Sequence, residues 1–384
     1  MRHSTENILT THVGSLPRSQ TLVDALLRKD RGELYDTEEF DRVVCEAVRD
    51  AVARQNNAGI DVPSDGEQSK VSYSTYMMDR LTGFGGENER RIALDLKDYP
   101  EFRQKMARMT GTQEFRRSSC IGPVAVKDLG PLRKDIENLK AAAEENGVTE
   151  AFMNSASPGL VTAFQPNKFY PTHEAYVQAV AEAMKEEYRI IAASGLLLQL
   201  DCPDLAMAAH IAFQDLSEVE FLKRAALHIE AMNYALAGID ASRVRMHICW
   251  GNYEGPHDCD IPVEKLFGAI ASAKPQAILF EAANVRHEHE WAAWRDAPIP
   301  DDKILVPGMI DTCSNYVEHP ELVAQRIERW VDLVGRERLI AGTDCGFGTF
   351  AGYGKLDSAI AYKKLRALAE GAEIASKRLR SRAI

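Results

Sequence analysis

Short apolar segments alternate with amphipathic helical segments along most of this sequence, and this alternation restricts the fold more than any other feature. The apolar segments lie at residues 10–15, 60–67, 151–156, 196–201, 243–251, 277–281, 304–311 and 339–346. They lack the in/out alternation of half-exposed strands, which is typical of parallel strands buried on both faces. Eight such strands with helical connections predict an α/β fold of the (β/α)8 barrel type. The alternative, an open doubly wound sheet, usually carries a GxGxxG or Walker-type loop, which the sequence lacks.

A barrel of this kind can occupy residues 1–384 as a single domain. Helical periodicity predicts connections at 37–58, 171–193, 217–237, 263–273, 288–295 and 318–334, followed by a C-terminal helix. One stretch after the second strand, 68–121, is too long for a simple connection. An insertion of this length predicts a lid or a subdomain. A solvated decoration or a dimer contact is the alternative, which leaves a homo-oligomer open.

Charge and composition exclude several classes of partner. The formal net charge of −11 argues against binding to nucleic acid or to anionic membrane surfaces. No apolar run reaches the roughly 20 residues of a membrane helix, and the first residues lack the apolar core of a signal peptide. The seven cysteines are odd in number and have no repeating spacing. We therefore expect a cytoplasmic enzyme of small molecules whose thiols remain reduced.

Four residues at predicted strand ends form a candidate zinc site. His247 and Cys249 stand two apart on one strand, so their side chains leave the same face. Two later apolar runs end in Glu281 and Cys345. Because catalytic groups of such barrels lie at the carboxyl ends of strands, we interpret these four residues as ligands of one Zn2+. A closed structural zinc site usually contains close CxxC pairs, which are absent.

Other histidines and cysteines are weaker candidates. His257 and Cys259 repeat the His-x-Cys spacing, but in a loop without the fixed geometry of a strand. His287 and His289 lie on a predicted helix, where residues two apart diverge. We expect the latter two at the surface or behind the ligands.

Two thiolate ligands favour one kind of zinc chemistry. They donate charge and weaken the ability of the metal to ionise water, so a hydrolytic role is the less favoured alternative. They suit a site that holds a substrate thiol as a thiolate at neutral pH, ready to attack an alkyl carbon. Glu281 is then the ligand that loosens when the substrate sulfur arrives.

Further polar residues lie at or near predicted strand ends. We expect catalytic roles for His12, Glu67, Asp201 and Asp311. Glu67 and Asp201 form a carboxylate pair suited to the ammonium group of an amino-acid thiol, with capping or structural hydrogen bonds as the alternative. Arg18 is suited to a substrate carboxylate or sulfonate, since Arg binds oxyanions with two donors.

Six segments together resemble the C-terminal catalytic barrel of cobalamin-independent methionine synthase. They are 10–17 (TTHVGSLP), 65–67 (DGE), 199–201 (QLD), 247–249 (HIC), Glu281 and 344–346 (DCG). The resemblance implies the barrel, zinc on His247, Cys249, Glu281 and Cys345, and an acceptor thiol that attacks an alkyl donor. It also implies that Ser15, Glu67 and Asp201 bind the amino-acid part of homocysteine.

Departures from the family pattern concern the alkyl donor. The family's Ile-Asp-Glu-Pro stretch is Leu-Asp-Cys-Pro at 200–203, and its Asp-x-His-Ser is Asp-Thr-Cys-Ser at 311–314. The tryptophan expected near a pterin is not evident around 157–159. Segments at 250–252, 284–289 and 315–320 are more similar to the single-barrel branch that includes epoxyalkane:coenzyme M transferase.

These observations predict a zinc-dependent transferase that forms a C–S bond. The first hypothesis is methyl transfer to homocysteine, and the alternative is the opening of an epoxide or another electrophile by a different thiol. A zinc hydrolase or lyase that uses metal-bound water, and a barrel that zinc merely stabilises, are more distant alternatives.

Overall fold

A parallel sheet of six strands, curled into most of a barrel, forms the centre of the molecule. The computed structural model describes residues 1–89, 91–111, 116–354 and 356–382. The strands of the central sheet pair in sequence order. They are β3 Phe152–Ala156, β4 Leu197–Asp201, β5 Val244–His247, β6 Ala277–Phe280, β7 Ile304–Ile310 and β8 Gly342–Thr343. A separate antiparallel pair, β1 Phe84–Gly85 with β2 Ser119–Cys120, lies in the excursion after the second predicted strand.

The first two predicted strands close the barrel through single bridges and not through ladders. Thr10 pairs with Ala341, Thr11 with Val62, and Ser64 with Phe152, each in parallel. Pairing stays short because Pro63 has no N–H to donate and the chain bends at Gly14 and Gly66. The predicted (β/α)8 barrel is confirmed, and two of its eight strands are reduced to these contacts.

Eleven helices are found in the described residues. They are α1 Gln20–Asp30, α2 Thr37–Ala58, α3 Met77–Arg80, α4 Pro100–Thr110, α5 Gly130–Glu145, α6 Pro158–Phe164, α7 His173–Ala193, α8 Glu218–Ala235, α9 Phe267–Ser272, α10 Pro320–Val334 and α11 Ser358–Arg382. Helix α2 has the predicted bounds because both ends carry stop signals. Asp36 accepts hydrogen bonds from the first-turn N–H groups, and Gly59 ends the helix at φ 89°.

The predicted helix at 263–273 is in part a 3₁₀ turn, Val263–Leu266, before α9, and the segment Glu288–Asp296 is 3₁₀ throughout. Helices α1, α3, α4, α5 and α6 were not among the predicted ones. Helix α6 is only seven residues long and lies in a continuously buried apolar stretch, so it has no helical periodicity to detect.

Apolar side chains fill the layer between the sheet and the helices, and a smaller cluster around Leu9, Val13 and Leu279 occupies the barrel interior. A buried arginine crosses that interior. Arg245 lies 4.0 Å over the Phe152 ring and donates hydrogen bonds to Thr11 Oγ1 and His12 O. Its two terminal nitrogens thus bind to the segment that closes the barrel.

The excursion at 68–121, of which residues 90 and 112–115 lie outside the described part, covers the carboxyl ends of the strands. Besides β1, β2 and α3 it contains a 3₁₀ turn, Leu94–Leu96, and α4. The Leu94 N–H donates to His210 O at 3.0 Å, which connects the excursion to the loop after β4. Helix α4 itself buries none of its residues. Among all described helices, none combines the length and the apolar character needed to span a lipid bilayer.

Candidate active site

A cavity of about 570 Å3 lies at the carboxyl ends of the barrel strands. Its two sides have different origins. The side that we call the floor comes from the barrel and comprises Ser15, Glu67, Asp201, His247, Cys249 and Cys345. The side that we call the roof comes from the excursion and comprises Ile92, Ala93, Leu96, Arg103, Met106 and Ala107. The polar residues of the floor are buried within the protein and yet border the cavity.

Three of the four predicted metal ligands meet on the floor. One nitrogen of His247 and the sulfurs of Cys249 and Cys345 lie within 4.8 Å of one another. The two sulfurs are 3.7 Å apart. Two sulfurs bound tetrahedrally at about 2.3 Å from one zinc would be about 3.8 Å apart, so the spacing fits that ion.

The orientation of His247 also fits a metal. Its Nδ1 lies 3.4 Å from Asp201 Oδ1, whereas its Nε2 is buried and has no hydrogen-bond partner in the described chain. A ligating imidazole commonly directs one nitrogen to a carboxylate and the other to the ion. The unpartnered Nε2 is therefore the atom available to bind a metal.

Local structure fixes the two cysteines. Strand β5 ends at His247, and the Gly251 N–H then points to Cys249 Sγ at 3.3 Å, with Gly251 at φ 122°. Cys345 follows β8, where its carbonyl accepts a hydrogen bond from Thr343 Oγ1 at 2.7 Å. The hydrogen bond with the adjacent thiol of Cys249, and then burial, raise the pKa of Cys345 well above its usual range. The Cys345 thiol is therefore protonated until a metal replaces its proton.

Glu281, the fourth predicted ligand, is turned toward its own loop. One carboxylate oxygen accepts from the Trp250 N–H at 2.9 Å, and the other accepts from Asn284 Nδ2 at 2.8 Å and Arg286 Nη2 at 2.5 Å. Asp344 holds the same loop by accepting from the N–H groups of Ala282, Ala283 and Asn284. The Glu281 carboxylate therefore does not lie within 4.8 Å of all three of the other predicted ligand atoms.

A pair of carboxylates lies on the other part of the floor. Asn154 Nδ2 donates to both oxygens of Asp201, at 3.1 and 3.3 Å. Glu67 Oε2 is buried and has no partner among the described residues. Burial, together with the negative charges of Asp201 and Asp65, raises the pKa of Glu67 to about 8, against the opposing charge of Lys70. A buried, unpaired acceptor beside a second carboxylate is a site for a cationic group.

The backbone of Glu67 is in the left-handed region, at φ 55°, which is rare for a residue with a side chain. Arg18 stabilises this conformation, since its Nη2 donates to Glu67 O at 2.7 Å and its Nη1 to Gly348 O at 2.5 Å. Arg18 was predicted to bind substrate. Both of its terminal nitrogens donate to backbone carbonyls in this structure, and its role toward a substrate stays a prediction.

Two other predicted residues are not brought to the cavity. His12 is buried, with Nε2 at 2.6 Å from Gln55 Oε1 and Nδ1 accepting from the Gly14 N–H. Burial lowers the pKa of His12 to about 3, so the ring is neutral. The Asp311 carboxylate accepts from the N–H groups of Cys313 and Ser314 and shapes the loop after β7.

Tyr73 and Asn252 border the cavity and were not predicted. The Tyr73 ring contacts Phe164 and Phe350, with centroids 5.7 and 5.5 Å away. Burial and the nearby groups of Cys249, Cys345 and Asp201 raise the pKa of Tyr73 well above its usual range, so its hydroxyl remains a donor. The sequence shows an aromatic cluster at this place but not which ring faces the ligands.

In each weaker pair of candidate ligands, the two residues differ in burial. Cys259 is exposed and His257 buried, so they form no pair. His289 is exposed as expected, whereas His287 is buried between Asp260 and Glu290.

The protein is thus a (β/α)8 barrel in which one buried imidazole and two buried thiols meet at the carboxyl ends of the strands. The family model for the catalytic domain of cobalamin-independent synthase matches residues 8–93 and 123–362. Because this match covers most of the sequence, the chain belongs to that family. The unmatched stretch, 94–122, contains α4 and part of the roof.

Relatives and solved structures agree with this assignment. The chain is 25% identical over 376 residues to a methionine synthase of Saccharolobus islandicus, covering 97% of this chain and 96% of the relative. It is 24% identical to a methionine synthase of Sulfurisphaera tokodaii, covering 97% and 94%. Among solved structures, a B12-independent methionine synthase from Shewanella sp. W3-18-1 shares the fold with a TM-score of 0.70, at 19% identity and with 98% and 99% of the two chains covered.

Proposed function

We propose that the protein is a zinc-dependent transferase that moves a methyl or other alkyl group to the sulfur of an amino-acid thiol, homocysteine being the first candidate. Membership of the synthase family and the names of its relatives support transfer of methyl to a thiol. The proposal of zinc rests on one observation on the floor. His247 Nε2, which has no hydrogen-bond partner among the described residues, lies close to two thiols whose sulfurs are 3.7 Å apart.

His247, Cys249 and Cys345 would hold the ion, and Glu281 is the proposed fourth ligand, for which its carboxylate would have to turn from Arg286. When bound, zinc would lower the pKa of a coordinated substrate thiol, so that the thiolate is available at neutral pH.

The remaining floor residues position the substrate. Glu67 and Asp201 receive the ammonium group, because Glu67 Oε2 is buried and unpaired and Asp201 is held in place by Asn154. Ser15 borders the same part of the cavity and offers a hydroxyl to the substrate carboxylate. Tyr73 borders the same cavity, and its hydroxyl would donate to the substrate there. The alkyl donor then approaches from the apolar roof.

A different acceptor thiol or electrophile is the second candidate. The observation that favours it is Cys313, which stands where the family pattern has a histidine for the folate donor. Its thiol donates to Asn252 Oδ1 at 3.1 Å, next to the cavity. An epoxide or another small electrophile would need no pterin contacts there.

A cytoplasmic location fits this chemistry. Two buried thiols 3.7 Å apart would be oxidised to a disulfide in an oxidising compartment and lost as ligands.

Zinc X-ray absorption of the purified protein tests the proposal. We expect about two sulfur ligands at rest, and about three after addition of the acceptor thiol, with homocysteine, coenzyme M and glutathione tried in turn. The thiol that raises the count identifies the acceptor. If none does so and the protein turns over a substrate without any thiol, water activation at the same metal replaces thiol transfer.

A further inference from the structure

A second cluster of metal-binding side chains lies in the loops beside the cavity. One nitrogen each of His210 and His257 and one oxygen of Asp260 lie within 4.8 Å of one another. His210 and His257 are buried, and Asp260 is nearly so. We propose that these three residues bind a second divalent transition-metal ion, zinc by preference, distinct from the ion on the floor. This inference goes beyond the transferase reaction and does not depend on it.

The two oxygens of Asp260 have different surroundings. Oδ2 accepts from Arg286 Nη1 at 3.0 Å and lies 3.1 Å from His287 Nε2. Oδ1 lies 3.5 Å from His210 Nδ1, and His257 Nδ1 lies 3.1 Å from both Oδ1 and Oδ2. Ligands at about 2.0–2.1 Å from a tetrahedral zinc lie about 3.3 Å apart, so these distances bracket the expected spacing. Oδ1 is thus placed as a ligand, while outer donors hold Oδ2.

The contacts of His257 fit a metal ligand. Its Nε2 lies 3.0 Å from the Tyr253 carbonyl, and its Nδ1 faces the Asp260 carboxylate. A ligating histidine commonly directs its other ring nitrogen to a carbonyl or a carboxylate.

Buried polar atoms without partners give a second, independent indication. His210 is 1% exposed, and its Nδ1 has no hydrogen-bond partner in the part of the chain that the structure describes. Asp95 lies next to it, with Oδ2 accepting from the Tyr253 hydroxyl at 2.7 Å and from the His257 N–H at 3.0 Å. Asp95 Oδ1 is also buried without a partner among these residues. A buried polar group without a hydrogen-bond partner destabilises the folded protein, and an ion bound to His210 Nδ1 would remove this penalty.

The second ion would connect two loops of the barrel. His210 belongs to the loop after β4, and His257 and Asp260 belong to the loop after β5. Tyr253, which borders the cavity, packs on His257 with ring centroids 4.1 Å apart. The ion would therefore fix these two loops to each other beside one wall of the cavity.

Metal content of the zinc-loaded protein tests this inference directly. We expect about two zinc ions per chain in the wild type by mass spectrometry, and about one in His210→Gln and in Cys345→Ser. His289→Gln is the matched control, because that exposed histidine lies outside both clusters and should leave about two.

Cobalt substitution then separates the two sites. The ion on the floor should show sulfur-to-cobalt charge-transfer bands, whereas the second ion should show only weak ligand-field bands. We expect His210→Gln to lose the weak bands and keep the sulfur bands. A wild type that shows the sulfur bands without the weak bands, or a His210→Gln variant that keeps both ions, overturns the inference. The sulfur bands alone report on the zinc of the proposed function, so failure of one proposal is distinguishable from failure of the other. If His210→Gln does not fold, titration of the metal-free wild type with cobalt decides, because two sites should give sulfur bands and weak bands that appear separately.

Discussion

The floor and the roof of the cavity are built in opposite ways. Floor residues lie at the ends of strands or bridges, are buried, and have hydrogen bonds that set their orientation, as for Asp201 and Asn154. The roof comes from an excursion whose helix α4 buries none of its residues and leaves Phe102 and Met109 exposed. Precise chemistry needs the rigid support of strands, whereas substrate fit tolerates a loosely packed wall. We therefore expect floor substitutions to abolish the reaction and roof substitutions to change its selectivity.

The largest effect is expected at the floor ligands. Cys345→Ser should lower kcat/KM about 1000-fold or more, because the remaining His and Cys hold the ion poorly. Zinc content and thiol alkylation, measured together, check this. Cys259→Ser is the control, since that thiol is exposed and outside the site. Equal activity of both variants would contradict a metal role for Cys345. Circular dichroism should show that Cys345→Ser keeps the barrel.

Glu67→Gln should have the next largest effect, about 100-fold in kcat/KM for an amino-acid thiol, because the ammonium group loses a buried counter-charge. For a thiol that lacks the ammonium group the change should be small. A similar loss for both thiols would mean that Glu67 supports the fold and not the substrate.

The raised pKa of Glu67 makes a separate prediction. With a pKa of about 8 in the free protein, this carboxyl is mostly protonated at pH 7. An ammonium group bound beside it favours the ionised form, so binding at pH 7 should release a proton, and the release should decline as the pH rises above 8. Calorimetry with a thioether amino acid, in buffers of different ionisation enthalpy, measures this without a contribution from a thiol. Glu67→Gln should show no such release; an unchanged release would locate the proton elsewhere.

A smaller effect is expected from Tyr73→Phe, which removes only a hydroxyl at the edge of the floor. Loss of one donor to the substrate should lower kcat/KM about tenfold with little change in stability. Tyr76→Phe is the contrast, because the Tyr76 hydroxyl donates to Glu187 at 2.7 Å inside the protein. That variant should lose about 1–3 kcal/mol of unfolding free energy. If the two variants behaved alike, Tyr73 would be a packing residue.

The smallest effect is expected on the roof. Met106→Ala should change KM for the alkyl donor a few-fold, about 1 kcal/mol, and leave KM for the thiol unchanged. Glu101→Ala on the same helix is the control, since Glu101 is exposed and does not border the cavity. Equal changes for donor and thiol would show that floor and roof do not divide the two substrates.

The same division explains what could be predicted from the sequence. Each strand is an apolar run that ends in a polar or metal-binding residue. The barrel and the meeting of His247, Cys249 and Cys345 could therefore be predicted from residue spacing and strand order. The directions of side chains in loops do not follow from spacing. The engagement of Arg18 with backbone carbonyls and the inward position of Tyr73 depend on contacts between distant segments. The cluster of His210, His257 and Asp260 has no strand to align it, and only His257 stood out in the sequence.

The spacing of the two floor cysteines along the chain sets the order in which the site can form. Cys249 and Cys345 are separated by 96 positions, with β6, β7 and α10 between them. A ribosome that has just released β5 has therefore exposed only His247 and Cys249. If the floor binds zinc as proposed, the ion would be held with full affinity only after β8 has emerged and the ring has closed through Thr10 and Ala341. Zinc would then bind to a finished barrel, and its supply would govern how much of the protein is active and not how much is made.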